Sequence, residues 1–192
     1  MKPDTHSLDG LFASDVRYVV PLYQRPYVWR KRSHWEPLWE DVLHILDRHL
    51  DKDASTRGHF LGAVVLEQEH TNPGEILRRL VIDGQQRLTT LQLLLSAASA
   101  ELEHAGAQGD ARLVRKLVGN DPDHAAGDEL LKVWPTNADR AAFDAVMNGT
   151  DPPAGESGLV DARLYFADVI RTWLGASAEH DLTERARGCG SF

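Results

Sequence analysis

Leu80-Val81-Ile82-Asp83-Gly84-Gln85-Gln86-Arg87-Leu88-Thr89-Thr90 reads as a strand that stops at a glycine and passes directly into a helix. Ile76 to Ile82 is rich in branched apolar residues, as a strand requires, and Asp83-Gly84 breaks it. From Gln85 to about Ala105, Leu88, Leu91, Leu95, Ala98 and Leu102 recur at helical spacing, and Gly106 to Gly109 ends the run. The first turn of such a helix has unpaired backbone N–H groups and a partial positive charge, which suit a phosphate. Gly84 lets an anion approach the backbone, and Arg87 can grip phosphate oxygens in bidentate fashion. Asp83 could hold Mg²⁺ or orient an attacking water, and Gln85 and Gln86 could position water or read a base edge. On spacing alone a second reading stays open, in which Asp83 simply caps the helix and Arg87 is a surface charge.

Working upstream, His59 to Gln68 predicts a buried strand built on Phe60, Leu61, Val64, Val65 and Leu66. The turn Asn72-Pro73-Gly74 would fold it against Ile76 to Ile82 as a hairpin. Asp51 to Gly58 reads as a polar loop. Trp35, Leu38, Trp39, Val42, Leu46, His49 and Leu50 fall at helical spacing, with Ser33 as the cap. Val16 to Leu22 predicts a short strand, and Pro21 near its end predicts a sheet edge. Between Val16 and Trp35 stand Arg17, Arg25, Arg30, Lys31 and Arg32, and no Asp or Glu. Tyr23, Gln24, Arg25, Tyr27 and Trp29 interleave arginine with aromatics, a pattern suited to phosphate contact and base stacking. The competing reading makes the aromatics core and the arginines solvated.

Downstream the pattern is helical. Ala111 to Val118 and Asp128 to Val133 are short candidates, Thr136 caps a helix to Met147, and Leu159 to Leu174 is amphipathic. Residues 1–110 are thus expected as a nucleotide- and DNA-handling core, 111–180 as a helical subdomain and 181–192 as a disordered tail. The expected class is α/β of the α+β kind, a small mixed sheet with a helical second half.

Composition narrows the chemistry. The chain has 192 residues, 42 % hydrophobic and 26 % charged, in keeping with a globular protein. A net charge of −8 argues against coating nucleic acid by bulk charge. No apolar run approaches the roughly 20 residues that span a bilayer, so no membrane partner is expected. Met1 to Gly10 lacks an apolar signal stretch, and the single Cys189 cannot form an intrachain disulfide, so a reducing cytoplasm is expected. There is no Walker A string, no GxGxxG, no HExxH and no cysteine pair. His59, His70, His104 and His124 are scattered, and Ser96 and Ser99 lie mid-helix without a paired base.

The blocks Val20-Pro21-Leu22-Tyr23-Gln24-Arg25-Pro26-Tyr27-Val28-Trp29, Leu38-Trp39-Glu40-Asp41, His59-Phe60-Leu61-Gly62-Ala63-Val64-Val65 and Val81-Ile82-Asp83-Gly84-Gln85-Gln86-Arg87-Leu88-Thr89-Thr90-Leu91 occur in that order. With Pro135-Thr136-Asn137-Ala138-Asp139-Arg140 and the helix carrying Tyr165 and Phe166, they resemble the GmrS-like amino-terminal domain over residues of about 16 to 175. The resemblance implies a fold like ParB and sulfiredoxin, and membership among GmrSD-type modification-dependent restriction enzymes and SspE-like effectors that sense phosphorothioate DNA. It implies that Asp83 to Arg87 is a nucleoside-triphosphate hydrolysis motif, for GTP or ATP. Gly84, Arg25, Thr89 and Thr90 would then be nucleotide-binding, Asp83 the Mg²⁺ (or Mn²⁺) ligand, and Tyr23, Gln24, Arg25, Tyr27 and Trp29 the DNA-sensing face. The implied partners are a nucleoside triphosphate, DNA with a phosphorothioate or a modified base, and an HNH-type nuclease domain or chain. Homo-oligomerisation is left open. The sequence departs from the family at its carboxy end, which carries no HNH-type histidine cluster. Two rival expectations are a non-enzymatic ParB-like DNA-binding module and a metal-dependent nuclease that pairs Asp83 with Glu67.

Overall fold

The computed structural model describes residues 4–50, 59–72 and 74–175. The expected loop 51–58 and tail 181–192, and Pro73 of the expected turn, lie outside the described residues. Four strands form one mixed sheet in the order β2-β3-β1-β4: β1 is Val16–Val19, β2 Val65–Gln68, β3 Leu77–Asp83 and β4 Val133–Trp134. β1 runs parallel to both β3 and β4, whereas β2 pairs antiparallel with β3. This is the α+β class that the pattern predicts.

The expected position of β1 was at the edge; it lies inside the sheet. Pro21 sits beyond the last paired residue, so its missing N–H costs no ladder bond. The neighbour that closes the far side of β1 is β4, two residues long and drawn from a stretch that reads as a helix. Residues 127–130 there form a single 3₁₀ turn, and the chain then extends into β4. The hairpin of β2 and β3 is present, but β2 is shorter than the apolar run. Residues 59–64 take no regular form, and the register slips between Val65 and Leu66.

Six α-helices are described: α1 (Leu8–Phe12), α2 (Glu36–Leu50), α3 (Gln85–His104), α4 (Gln108–Val118), α5 (Asn137–Asn148) and α6 (Gly158–Gly175). The spacing predicts one apolar face for α3, yet it is buried on nearly every side, because the sheet, α4 and α6 all pack on it. Val16, Tyr18, Val81 and Val133 from the sheet enter one core with Leu88, Leu91, Leu94 and Leu95 of α3 and with Phe166 and Ile170 of α6. Several buried polar groups on α3 find partners, although Gln92 Oε1 has none among the described residues. Gln92 Nε2 donates to Leu117 O, Ser99 Oγ to Ala111 O, and Glu101 accepts both Nε and Nη2 of Arg171. Truncating a fully buried leucine here, such as Leu94, would cost about 2–5 kcal/mol.

α2 does not start on Ser33. Residues 31–35 form a π-turn entered from Arg30, and Ser33 Oγ instead bonds His34 Nδ1. Thr136 does stand at the start of α5, but its hydroxyl donates to Asp139 rather than capping a backbone N–H. No described helix is long and apolar enough to cross a membrane.

Two features at the lower end of the sheet were not legible beforehand. The Asn120 side chain pairs with both the N–H and the C=O of Val16, extending β1 as a strand would. Lys132 is 1 % exposed, with Nζ donating to Ser14 O and Asn120 Oδ1, and burial pushes its pKa down to about 8.

Candidate functional site

β1, β3 and β4 run the same way, so their carboxyl ends reach one edge of the sheet. That edge carries the loop 20–30 after β1, Asp83 to Arg87 after β3, residues 135–140 after β4, and the strip 59–64 that leads into β2. Loops at the carboxyl ends of parallel strands are where open α/β sheets ordinarily bind ligands.

Gly84 is the hinge. Its φ of 90° is left-handed, and a Cβ there would lie 2.5 Å from Val64 Cγ1 and 3.1 Å from Ala63 O. Only glycine lets β3 turn into α3 against this strip. Asp83 is exposed; its Oδ1 accepts the N–H of Gly84 at 2.7 Å, and Oδ2 has no partner among the described residues. Arg87 is half-buried. Its Nη1 donates to Ala63 O at 2.7 Å, which leaves Nε and Nη2 for another acceptor.

The two glutamines point the other way, into the loop after β1. Gln86 Nε2 donates to Pro26 O and its Oε1 accepts the N–H of Val28, so one side chain pairs with an extended backbone on both counts. Gln85 Nε2 donates to Gln24 Oε1 and to Arg25 O, leaving only its Oε1. Gln24 in turn donates to Ile82 O. Tyr27 lies over the first turns of α3: Trp35 Nε1 donates to its hydroxyl, the hydroxyl donates to Thr90 Oγ1, and Thr90 donates to Gln86 O. Burial pushes the Tyr27 hydroxyl up to about 12, so it remains a donor at neutral pH. The N–H of Tyr27 goes to Asp139 Oδ2 on α5.

The structure therefore gathers Gln24, Arg25, Tyr27, Asp83, Gly84, Gln85, Gln86, Arg87 and Thr90 around one helix start. Thr89 and Thr90 lie beneath the surface, 4 % and 0 % exposed. Trp29 stands off to the side, stacked on His34 with ring centroids 4.9 Å apart. Tyr23 is 76 % exposed and Arg25 is exposed, its side chain unpaired among the described residues. Arg30, Lys31 and Arg32 are also exposed, on the π-turn that follows.

Glu67 faces Leu80 in the hairpin register, whereas Asp83 faces Val65, so the two carboxylates are not cross-strand partners. No group of three or more His, Cys, Asp or Glu converges on a metal position among the described residues. A separate groove of about 910 Å³ opens at the opposite end of the sheet, between Asp15, Arg112, Asn120 and Arg163, and shares no residue with the motif.

Sequence reasoning missed Gly62, Ala63 and Asp139. Gly62 left one signal, a glycine inside an apolar run, which marks close backbone approach. Asp139 falls in a block that carries the resemblance, but nothing in the sequence points to its role, because its partner is 112 residues away.

Residues 8–172 match a family model described as GmrSD restriction endonuclease, N-terminal domain. No curated protein matches the chain.

Proposed function

Because the chain belongs to the family of the GmrSD restriction endonuclease N-terminal domain, we propose that it is the nucleoside-triphosphate-hydrolysing sensor of a DNA restriction and defence system. The observation that carries this reading is the Gly84 hinge, which opens the start of a long helix at the carboxyl edge of the sheet with Asp83 and Arg87 on either side. Helix-start N–H groups receive phosphate oxygens. Arg87, through Nε and Nη2, and Arg25 neutralise charge that develops on the transferred phosphoryl group. Asp83 Oδ2 orients the attacking water or holds a divalent cation. One free carboxylate fits Mg²⁺, which takes few protein ligands when phosphate oxygens and water complete its shell. Bound there, the metal supplies neutralisation of phosphate charge. Thr90 contributes from below by tying Tyr27 to the first turn through Gln86 O, and Thr89 lies buried beside it.

The DNA-facing part of this reading rests on the loop after β1. Tyr23 offers an exposed ring, and Arg25, Arg30 and Arg32 offer exposed cations, with Lys31 beside them already paired with Glu36 and laid over Tyr165. That set suits the backbone and an accessible modified position, a phosphorothioate or a modified base. Cleavage itself is assigned to an HNH-type nuclease domain or chain. A DNA-binding module without hydrolysis is the second reading, favoured by the exposure of Tyr23.

Phosphate release from ATP and GTP by the purified chain with Mg²⁺ separates the two. Arg87→Ala is expected to lower turnover by at least about 10-fold, the scale of losing about 1.4 kcal/mol of transition-state stabilisation. Turnover unchanged in that variant removes Arg87 from the reaction, and absent turnover in wild type leaves the binding-module reading.

A further inference from the structure

We infer that Gln86 and Asp139 are positioning residues that hold the loop after β1 over the first turn of α3, and so set where Arg25 stands relative to Arg87. The inference rests on the hydrolysis reading above. Its ground is that two consecutive backbone N–H groups in an otherwise irregular loop are each held by one side chain from a distant element. The N–H of Tyr27 goes to Asp139 Oδ2 at 2.9 Å, and that of Val28 to Gln86 Oε1 at 2.9 Å. The intervening backbone is closed by Gln86 Nε2 on Pro26 O at 3.0 Å.

Gln85 secures the near end of the loop, through Gln24 and Arg25 O, and Gln24 reaches Ile82 O; the stretch from Pro26 to Val28 has only the bonds of Gln86 and Asp139 and the Tyr27 side chain to fix it. The loop belongs to no strand or helix, Val28 is 45 % exposed, and Leu22 and Tyr23 are largely in solvent. Loop backbone so exposed ordinarily opens with little free-energy cost. Here the amide of Gln86 replaces a strand neighbour by pairing with both an N–H and a C=O, as a partner strand does. Asp139 brings in the second half of the chain, since its Oδ2 also accepts the hydroxyl of Thr136 just after β4. Tyr27 completes the hold through Thr90, whose hydroxyl returns to Gln86 O. A ligand touching Arg25 or Tyr23 is thereby in mechanical contact with the turn that carries Arg87. The same bonds explain why the motif needs glutamine: an amide can donate and accept from one planar group, which a carboxylate or a lysine cannot.

Hydrogen exchange at the Tyr27 and Val28 amides of the full chain, read with steady-state phosphate release from ATP and GTP, tests this. Gln86→Ala is expected to speed exchange at Val28 by at least about 10-fold and to lower kcat far more than it raises KM. Asp139→Ala should do the same at Tyr27. Asp139→Asn, which retains an acceptor oxygen, should restore most of both. Gln86→Glu, which retains the acceptor for Val28 but loses the donor to Pro26, should fall between wild type and Gln86→Ala and serves if the alanine variant does not fold. Unchanged exchange in Gln86→Ala overturns the hold. Faster exchange with unchanged kcat and KM overturns the positioning role and leaves the bonds purely structural. If wild type releases no phosphate, the hydrolysis reading fails separately. The inference is then decided by exchange and by titration with a non-hydrolysable ATP analogue, and equal affinity in wild type and Gln86→Ala overturns it.

Discussion

The guanidinium of Arg87 occupies the space that a side chain on Gly62 would need. A Cβ on Gly62 would lie 2.5 Å from Arg87 Nε and 2.6 Å from Nη2, and the glycine holds a left-handed φ of 105°. Arg87 is thus seated in a notch of the strip that leads into β2, and tied to it through Ala63 O. Gly62→Ala is expected to act as a disguised Arg87 variant, although it removes no functional group. Turnover should fall by about 10-fold or more, with backbone strain of about 1–3 kcal/mol added to any cost of moving the arginine. Kinetics and denaturant unfolding on the same preparation check this; wild-type turnover in Gly62→Ala means the seat of Arg87 is irrelevant to the reaction.

Gly84→Ala should be harsher for the fold. The added methyl meets Val64 Cγ1 and the Ala63 carbonyl while forcing alanine into a left-handed conformation. A loss of about 2–4 kcal/mol is expected, combining strain at the hinge with overpacking. Val64→Ala in the same chain removes the closest of these contacts, the one at 2.5 Å, so the double variant should be more stable than the sum of the single losses predicts. Additive losses would show that the approach of Val64 is not what requires the glycine.

Lys132 sets a pH signature. Its folded pKa of about 8 lies below the ordinary 10.5 because burial disfavours the charge. Between those values the unfolded chain keeps a proton that the folded chain has released, so unfolding free energy rises with pH through this window. Below it the cost of burying the charge is felt in full. Wild type should therefore gain stability relative to Lys132→Met as pH rises from about 8 to about 10. Above about 10 the buried Tyr27 hydroxyl, pushed up to about 12, works in the opposite sense, so the comparison belongs below that pH. A constant difference between the two proteins across the window refutes the assignment.

The hinge and helix start were legible because Asp-Gly followed by leucines at helical spacing has few other solutions. The hairpin was legible for the same local reason. The place of β1 was not, because what fixes it is pairing with residues 133–134, a strand too short to carry a pattern. The work of Gln85 and Gln86 was hidden in a similar way. Read alone they look like groups waiting for a ligand, and their partners stand 58 to 61 residues earlier in the chain. Lys132 gave no signal at all, since a lone lysine between apolar residues is normally solvated.

Hydrolysis should depend on Mg²⁺ or Mn²⁺ and survive a zinc-selective chelator, because among the described residues the free metal-binding group at the site is one hard carboxylate, with no thiol or histidine cluster beside it. Full turnover in excess EDTA without added metal would exclude a cation at Asp83.

DNA binding should be weak on plain duplex and fall gently with salt, at a slope of about −0.9 per phosphate contacted. The cations available in the loop and π-turn are few, and the chain as a whole carries −8. Tyr23→Ala with Arg25→Ala is expected to erase any preference for modified over plain duplex. Titration at several salt concentrations checks it, and equal discrimination by the double variant would move the sensing face elsewhere.

The central place of β1 governs how the chain must be made. Val16 to Val19 leave the ribosome early, yet their first neighbour begins at Leu77 and their second only at Val133. Closing such distant pairs is slow, and the strand stays open to rival chains until residues 133–134 have been synthesised. A translation arrest near residue 110 would release a three-stranded sheet with β1 as a bare edge, an aggregation hazard that pairing with β4 covers once residues 133–134 are made.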